Sequence, residues 1–404
     1  MKILYHHRTL SKDGQNVHIE ELIGAFRRLG HDIRIVGPTA HKNAAFGSDG
    51  GLASKVRAAL PASLGELVEL AYSMLAFYRL LKAYRAFRPD VLYERYNLFL
   101  LSGAWLHRLT GVPYFLEVNA PLADERRDNS GLSLYRLAKW CERHVWRAAD
   151  LVLPVTKVLA GYVTAAGVRA RRIEVLPNGI DPKHFPRTQS GEAIRRAHGL
   201  EGKTVIGFTG FLREWHGLPA IVEVMRELTQ QGHDLHFLVV GEGQGRAALE
   251  RAAEQAGIAS RITITGVVDR HQIPAYVAAF DIAVQPKATE YASPLKLFEY
   301  MALARAIIAP DQPNLREVLT NGENALLFAP DDPKSLAAVL SRLIREPVLR
   351  DQLGANAART VAQLDLTWDG NARKIAAAME TAVARERRPS ARAAAILEEP
   401  TRPA

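Results

Sequence analysis

Residues 288–310 form the stretch of the chain whose residue types and spacing are best suited to chemistry. They read ATEYASPLKLFEYMALARAIIAP. A polar, proline-bearing loop, Thr289–Pro294, comes first, and the pattern then predicts a helix from Leu295 to about Leu303 and a short apolar strand over Ala306–Ala309. A helix that begins directly after a loop presents free backbone N–H groups and the positive end of its dipole, which is a natural place for phosphate.

Four side chains at the start of this helix bear on a phosphate-binding interpretation. Ser293 is a good N-cap residue, and Pro294 suits the first helical position. Lys296 would be unfavourable in the first turn of an isolated helix, but it fits if an anion binds there. Glu299, one turn further on, could accept two hydrogen bonds from a pair of ribose hydroxyls. The stretch therefore predicts a nucleoside diphosphate site; an ordinary amphipathic helix with a surface Lys and Glu is the alternative.

Other loops in the same half of the chain could also approach a nucleotide. The loop after the first predicted strand reads GFLREWHG from Gly210 onwards and holds Arg213 and His216. A glycine-bearing loop between a strand and a helix can cradle phosphate. The next strand ends in GEGQGR at 241–246, which lacks the third glycine of a dinucleotide-binding G-x-G-x-x-G, so that motif is weak here. The loop around Val268 could contact a base through its backbone.

The first half of the chain predicts a similar series of strands and helices. Lys2–His6 and Ile33–Val36 are predicted strands, and a helix between them places its apolar residues on one face. Gly14 and Gln15 precede this helix in a loop where a glycine lets a ligand approach the backbone. His18 lies at the helix start, where it could face a ligand, although a capping or surface role is preferred.

Polar side chains also follow the later strands of this half. Val91–Glu94 and Tyr114–Val118 are predicted strands, and Glu117, Asn119 and Glu125 lie at or beyond the end of the second. Ligands of open α/β sheets bind outside the carboxyl ends of the strands. These three side chains are therefore predicted to line a cleft.

Length and composition indicate a two-domain protein with anionic partners. The chain has 404 residues, 48% of them hydrophobic, and a formal net charge of +9, which is too long for one typical domain. Its single cysteine, Cys141, excludes internal disulfides and a cysteine-built metal site. No signal peptide and no run of about 18 apolar residues is present, so a cytoplasmic location is predicted. Charge alone would allow nucleic acid, but no recognisable nucleic-acid-binding motif accompanies it.

Residues 55–88 are basic and rich in apolar and aromatic side chains. The part after Pro61 predicts a long helix whose apolar residues are too many for one narrow stripe. Such a helix can lie on an anionic membrane surface, and a core helix that covers a sheet would show the same composition. Both interpretations hold together if only one face is buried. The first predicts a peripheral protein on the inner face of the membrane.

Four motifs, taken in order, resemble those of glycosyltransferase family 4. They are PNGID at 177–181, GFLREWHG at 210–217, GEGQGRAALE at 241–250 and SPLKLFEYMA at 293–302. The resemblance covers about residues 1–384. The segments YERYNLF at 93–99 and LEVNAPL at 116–122 look like a bacterial subgroup linked to exopolysaccharide assembly. The family has the GT-B architecture, an α/β fold of two facing Rossmann-like domains with an interdomain cleft.

The resemblance implies a division of the chain and an activity. Residues 1–187 would form the acceptor domain and 200–366 the nucleotide-sugar domain, and a helix at 367–384 would pack back on the first domain. Residues 385–404 are rich in Pro, Arg and Ala, and this composition predicts disorder. The implied activity is transfer of a sugar, with retention at the anomeric carbon, from a UDP- or GDP-linked donor to a saccharide or lipid-linked saccharide in cell-surface glycan synthesis. No D-x-D-like acidic pair follows a strand at the donor position, so no obligatory metal and no cofactor is expected.

The resemblance also implies roles for individual residues. Glu299 would bind the ribose, the backbone of residues 295–297 would contact the diphosphate, and Lys296 and Arg213 would stabilise the leaving group electrostatically. The full expected set is, for donor binding, Gly14, Gln15, Gly210, Arg213, His216, Val268, Ser293, Pro294, Leu295, Leu297 and Glu299; for acceptor binding, His18, Glu117 and Glu125; and for catalysis, Asn119, Lys296 and Glu290.

The loop at 210–217, called the donor loop below, departs from the family pattern in its positively charged residues. Phe211 stands where an Arg is usual, and His216 stands where a Lys is usual. Histidine is the weaker cation near neutral pH. Arg213 would therefore have to supply the missing charge.

Two further departures lie near the expected sugar site. The family spaces two glutamates with seven residues between them, and the first position falls here on Tyr291, with Glu290 beside it. Asn119 stands where a histidine is common; it can form hydrogen bonds but cannot act as a base. A catalytically silent nucleotide-sugar or lipid-binding partner of a glycan assembly complex therefore remains an alternative. A nucleotide-sugar 2-epimerase is another, against which the order of the motifs argues.

Overall fold

Two parallel α/β sheets organise the part of the chain that the computed structural model describes, which is residues 1–9, 14–38 and 61–387. Three of the predicted features fall partly outside these residues: the first loop at positions 10–13, the basic segment at positions 55–60, and the tail from position 388. The last helix continues to Arg387, so the predicted disorder does not begin at residue 385.

The N-terminal sheet has five strands in the order β2-β1-β3-β4-β5. They are β1 (Lys2–His6), β2 (Asp32–Val36), β3 (Val91–Arg95), β4 (Tyr114–Val118) and β5 (Leu151–Pro154). Its helices are α1 (Gly14–Arg28), α2 (Ala62–Phe87), α3 (Ser102–Thr110), α4 (Leu122–Ser130), α5 (Tyr135–Ala148) and α6 (Lys157–Ala165). Buried residues of α2 to α6 share one apolar cluster on one face of the sheet, whereas α1 packs on the other face.

The C-terminal sheet has six strands in the order β11-β10-β9-β6-β7-β8. They are β6 (Thr204–Thr209), β7 (Leu235–Val240), β8 (Ile262–Ile264), β9 (Ile282–Val284), β10 (Ala306–Pro310) and β11 (Leu326–Phe328). The remaining helices are α7 (Glu192–Ala197), α8 (Leu218–Gln230), α9 (Arg246–Gln255), α10 (Ile273–Ala278), α11 (Leu295–Ala302), α12 (Pro333–Arg345), α13 (Pro347–Gln363) and α14 (Trp368–Arg387).

The strands that the sequence predicts most sharply are nearly continuous apolar runs. In β7 the run LHFLVV, apolar except for His236, is buried at every position, as expected for a parallel strand with helices on both faces. The predicted α/β class with two Rossmann-like sheets is confirmed. After Asn314 the chain forms a 3₁₀ turn at Leu315–Glu317 and a tight turn that Asn321 and Ala325 close, and then β11, which pairs in parallel with β10.

The last helix, α14, packs against the N-terminal half. Trp368 and Met379 lie in the same apolar cluster as Ile19 and Phe26 of α1. The chain reaches this position through Ile180, whose N–H donates to Leu366 O at 3.1 Å and whose carbonyl accepts from the N–H of Trp368 at 3.2 Å. The PNGID motif is therefore a docking point for the start of α14.

The two halves also contact each other directly. Glu317 of the C-terminal half accepts the Lys157 N–H at the start of α6 with both carboxylate oxygens, at 2.8 and 2.9 Å. The Asn178 N–H donates to Ser293 Oγ at 3.2 Å, and Asn178 Nδ2 donates to Ser293 O at 2.6 Å. These contacts place the loop before α11 against the N-terminal half.

Candidate functional site

The strand order of the C-terminal sheet reverses between β6 and β9. These two strands are neighbours in the sheet, although β7 and β8 separate them in the chain. In open α/β sheets, ligands bind in the crevice outside the carboxyl ends of the strands at such a switch point. The loops that leave β6 and β9 at this point are residues 210–217 and 285–294. They are the two loops that the sequence singles out as phosphate-binding.

The helix that follows the second loop begins at Leu295, as predicted, but its N-cap differs from the prediction. Leu295 is the first residue of α11, Pro294 occupies the N-cap position, and no side chain of the described chain caps the helix. The prediction of Ser293 as N-cap is wrong, because its hydroxyl accepts the Asn178 N–H instead. The first turn of α11 is therefore without a side-chain cap. Leu297 is fully buried in the core, so only its backbone could contact a ligand.

Lys296 directs its ammonium group towards the end of β6. Its Nζ lies 3.9 Å from the ring centroid of Phe208. Gly210 is adjacent, since a Cβ on that residue would lie 3.3 Å from Lys296 Nζ. Burial lowers the pKa of Lys296 to about 7, against the opposing attraction of Glu299. The Lys296 amine is therefore only partly protonated at neutral pH, and a bound anion would favour its charged form.

Glu299 lies beside Lys296 and the last residue of β6. Burial raises its pKa, while the charges of Arg270 and Lys296 and a hydrogen bond with Thr209 oppose that rise. The Thr209 N–H also donates to Tyr300 Oη at 2.9 Å, which fixes α11 against the strand end. Thr209 and Arg270 are site residues that the sequence does not reveal, because each is distant in the chain from Glu299.

The donor loop has one effective cation. His216 is buried, and burial together with the charges of Lys296 and Arg213 lowers its pKa to about 2, so it is neutral. Its Nδ1 accepts the Arg213 N–H at 3.3 Å. His216 therefore adds no positive charge to this loop, and its role in donor binding remains a prediction. Arg213 is exposed, and its guanidinium lies 5.2 Å from the ring centroid of Phe211.

The glycines of the 241–245 segment serve backbone packing against this loop. The Leu212 N–H donates to Glu242 O, and the Gly245 N–H donates to Leu212 O, both at 2.9 Å. A Cβ on Gly243 would collide with the Leu212 carbonyl group. The segment supports the donor loop, which explains its glycines without a dinucleotide.

A buried carboxylate organises the opposite wall in the N-terminal half. Glu117, at the end of β4, accepts hydrogen bonds from Tyr93 Oη at 2.9 Å and from Arg95, and its Oε2 lies 3.0 Å from His18 Nε2. Asn119 Nδ2 donates to Glu117 Oε1 at 2.5 Å. The pKa of Glu117 stays well below its usual range, since His18, Arg95 and these hydrogen bonds outweigh burial.

This network changes the interpretation of two expected acceptor-binding residues. Both oxygens of Glu117 are engaged within the protein, so Glu117 positions its neighbours instead of contacting a ligand directly. His18 is buried, with its ring 4.8 Å edge-on from that of Trp368, and the predicted capping or surface role is wrong. Asn119 is half-buried just beyond the strand end, and its amide oxygen has no hydrogen-bond partner within the described residues.

The remaining predicted residues divide between the cleft and its margins. Gly14 begins α1, where a Cβ would lie 3.5 Å from Leu295 Cδ1, and Gln15 follows it on the same first turn. Val268 packs partly against the C-terminal core. Glu290 is exposed in a turn and forms no ion pair with Lys296 within the described residues, so the structure does not bring the two together.

Tyr291, the neighbour of Glu290 in the chain, connects Glu125 to the C-terminal half. It lies in the first turn of α4, where burial raises its pKa against a hydrogen bond from Tyr291 and the charge of Arg213. Tyr291 is thus the residue of the 285–294 loop that contacts Glu125 on α4 of the N-terminal half.

One cluster could ligate a cation in principle. A ligand atom from each of Glu21, Asp181 and His184 lies within 4.8 Å of the others. Arg270 donates to Glu21, however, and Arg28 Nη1 lies 4.0 Å from Asp181. These guanidinium groups balance the carboxylates, so the cluster is an ion-pair network between α1, the linker and the C-terminal half.

Known protein families match both halves of the chain. Residues 190–360 match the family described as Glycosyl transferases group 1, and residues 13–179 match the Glycosyl transferase 4-like domain. The chain is 26% identical over 258 residues to alpha-D-kanosaminyltransferase of Streptomyces kanamyceticus, a match that covers 63% of this chain and 67% of that protein. It is 25% identical over 199 residues to the amylovoran biosynthesis glycosyltransferase AmsK of Erwinia amylovora, covering 48% and 47%. These matches span about half to two thirds of the relatives' own lengths.

Solved structures share the architecture over nearly the whole chain. Sucrose-phosphate synthase from Thermosynechococcus elongatus superposes with a TM-score of 0.75 at 18% identity, covering 95% of this chain and all of that one. Anabaena Alr3699/HepE, solved in complex with UDP-glucose, superposes with a TM-score of 0.71 at 18% identity, covering 94% and 100%. With both halves matched and the fold shared throughout, the chain belongs to glycosyltransferase family 4 and has the GT-B fold.

Proposed function

We propose that the protein transfers a sugar from a nucleotide-sugar donor to a saccharide or lipid-linked saccharide, with retention at the anomeric carbon. The observation that carries the proposal is the convergence of Lys296, Glu299 and the uncapped start of α11 at the end of β6. A diphosphate would meet a cation and free N–H groups there, and a ribose would meet a carboxylate one turn away. The Anabaena neighbour was solved with UDP-glucose, which supports a uridine donor as the first to test.

The mechanism requires only residues of this chain. The bond between the anomeric carbon and the phosphate oxygen breaks as an acceptor hydroxyl forms its new bond on the same face. The acceptor proton passes to an oxygen of the departing diphosphate. Lys296, Arg213 and the start of α11 stabilise the charge that develops on that group, so no divalent metal is needed. Contact between the two halves would limit attack by water.

The acceptor belongs to cell-surface glycan synthesis in this proposal. The name of the Erwinia relative refers to amylovoran biosynthesis, and the wall formed by Asn119 and Glu125 offers hydrogen-bonding groups suited to sugar hydroxyls. A saccharide or its lipid-linked form fits this chemistry.

A thermal-shift screen against UDP, GDP and ADP and their sugar conjugates, with and without magnesium, tests the donor site. We expect one nucleoside diphosphate to raise the melting temperature equally with and without magnesium. The matching nucleotide sugar is then incubated with saccharide acceptors, and NMR of the product reports the anomeric configuration. An inverted product would contradict the proposed stereochemistry, and nucleotide binding without any turnover would favour the silent-partner alternative.

We also propose that the protein acts at an anionic membrane surface on the cytoplasmic side. The outer face of α2 exposes six large apolar side chains at helical spacing: Leu64, Leu67, Val68, Met74, Leu75 and Tyr78, which are 45–69% exposed. On the opposite face Ser73 Oγ donates to Phe99 O at 2.6 Å, which fixes the rotation of the helix. Exposed apolar stripes of this length mark interaction surfaces.

Basic residues next to the stripe support an anionic surface as its partner. Arg79, Lys82 and Arg85 are exposed in the following turns of α2. Helix α5, in the same layer, exposes Arg143 and a Trp140 ring that stacks on His144 at 5.2 Å. Apolar insertion combined with attraction to anionic headgroups is the interfacial pattern. Within the described residues, none of the helices has the length and apolar character needed to cross a bilayer.

Vesicle co-sedimentation tests this surface. We expect binding to phosphatidylglycerol vesicles that weakens with salt, and little binding to phosphatidylcholine vesicles. Leu75→Glu should abolish it, whereas Val348→Glu, which alters a more exposed apolar residue on α13, should leave it intact. Unchanged binding by Leu75→Glu, or a stripe-dependent dimer in analytical ultracentrifugation without vesicle binding, would overturn the membrane assignment.

A further inference from the structure

Tyr291 belongs to the C-terminal half but is seated in the N-terminal half. Its carbonyl oxygen accepts a hydrogen bond from Thr156 Oγ1 at 2.9 Å. Its ring lies 6.5 Å from that of Tyr162, edge-on at 80°, and it packs against the N-terminal apolar cluster. Three separate kinds of contact therefore hold this one residue on the opposite half.

The phenol group extends these contacts to a carboxyl group in the cleft. Its hydroxyl donates to Glu125 of α4, and the hydroxyl of Thr289 donates to the phenol oxygen from its own loop. Glu125 is in turn within electrostatic reach of Arg213 on the donor loop.

The position of Tyr291 in the chain gives these contacts a consequence. It lies four residues before Leu295, the first residue of α11. The intervening segment is also held by Asn178, which bonds the hydroxyl and the carbonyl of Ser293. A displacement of Tyr291 would therefore be passed to the start of the helix that carries Lys296 and Glu299.

We propose that Tyr291 is a positioning residue that joins the acceptor-side Glu125 to the donor helix α11, so that the catalytic arrangement is complete only when the two halves are in contact. The inference rests on the proposed function. It adds that the residue at this position works through the opposite half of the protein, and that Glu290 beside it, which is exposed, has no part in the arrangement.

The consequence for kinetics is a separation between binding and turnover. A nucleoside diphosphate binds at the C-terminal half through Lys296, Glu299 and the start of α11, none of which Tyr291 contacts. Turnover also needs Glu125 and Arg213 to be correctly positioned relative to α11. Loss of the Tyr291 hydroxyl should lower kcat by more than it weakens nucleotide affinity, because the carbonyl contact of Tyr291 and the Asn178 contacts still hold the segment before α11.

The test compares Tyr291→Phe, Glu125→Gln and the double variant with wild type. Tyr162→Phe is the matched control, because it removes a hydroxyl from the neighbouring ring and leaves the Glu125 contact intact. The measured quantities are calorimetric affinity for UDP and GDP, the rate of hydrolysis of UDP-glucose and of GDP-mannose, and deuterium exchange of the amides at 289–297.

We expect each single variant to lower kcat about tenfold, the effect of one hydrogen bond to a carboxyl group, with a smaller loss of nucleotide affinity. The kcat of the double variant should be no lower than that of the more impaired single variant, since both substitutions remove the same hydrogen bond. Exchange at 289–297 should become faster in all three and stay unchanged in Tyr162→Phe.

Two results would overturn the inference: unchanged kcat and exchange in both single variants, or losses that multiply in the double variant. If wild type turns over neither nucleotide sugar and binds neither nucleotide, the proposed function fails. The exchange measurement still decides in that case whether Tyr291 holds the segment before α11 on the opposite half.

Discussion

The ammonium group of Lys296 rests on the face of Phe208, with Nζ 3.9 Å from the ring centroid. The ring offers a cation–π contact but no counter-charge. Gly210 leaves space beside the ammonium group because it has no side chain. The pair therefore forms a pre-arranged cation whose natural partner, an anion, enters from outside the protein.

Nucleotide affinity should depend on pH through Lys296. Burial lowers its pKa to about 7, and a bound diphosphate favours the protonated form, so the affinity should be highest below pH 7 and fall as pH rises towards 9. Lys296→Arg keeps its charge throughout this range and should flatten the profile. Calorimetric titrations with UDP or GDP at pH 6–9 check this; a wild-type profile as flat as that of the Arg variant would contradict it.

Glu299→Gln should weaken nucleoside diphosphate binding by about 10- to 100-fold, as expected for the loss of hydrogen bonds to a charged group. The effect should vanish for inorganic pyrophosphate, which has no ribose. Calorimetry with both ligands measures the difference. Equal losses for the two ligands would show that Glu299 acts on the phosphates, and would remove it from the ribose site.

Gly210→Ala should disturb both the backbone and the phosphate site. Gly210 has φ +127°, and a Cβ there would lie 3.3 Å from Lys296 Nζ, so we expect nucleotide affinity to fall at least tenfold. Gly232→Ala is the control, because Gly232 has φ +90° with no atom within 4 Å of an added Cβ. Both should lose about 1–3 kcal/mol of stability, and only the first should lose binding. Intact binding by Gly210→Ala would show that the loop does not approach the ligand.

Glu117→Gln should lower the free energy of unfolding by about 3–5 kcal/mol at pH 7, since it leaves the buried Arg95 without its charge partner. The folded-state pKa of Glu117 is well below its usual range. Its contribution is thus fully present above the unfolded pKa of about 4.3 and is lost as pH falls below it. Urea denaturation at pH 7 and pH 3 should show the difference shrinking. Glu346→Gln, in an exposed pair with Arg342, should change stability by less than about 1 kcal/mol.

Patterns confined to one element predicted much of this structure. The apolar run of β7, the glycine and proline residues at the ends of the helices, and the strand–loop–helix order of each half depend on neighbours in the chain, and those neighbours are visible in the sequence. The motif around Lys296 and Glu299 could be recognised for the same reason, because its residues lie within one turn and a half of a single helix. The fold class and the family both follow from such local patterns.

Contacts between distant residues decided the rest. Ser293 looked like an N-cap, but its hydroxyl is taken by Asn178, which is 115 residues away in the chain. His18 looked exposed, but it is buried between Glu117 and Trp368. His216 loses its charge because it is buried and because Lys296 and Arg213 lie beside it. Burial and charge at a site depend on all the elements that surround it, and only the packed structure brings those elements together. The sequence therefore determined the family, the fold and the donor helix, whereas the tertiary structure decided which side chains are charged, free or engaged across the cleft.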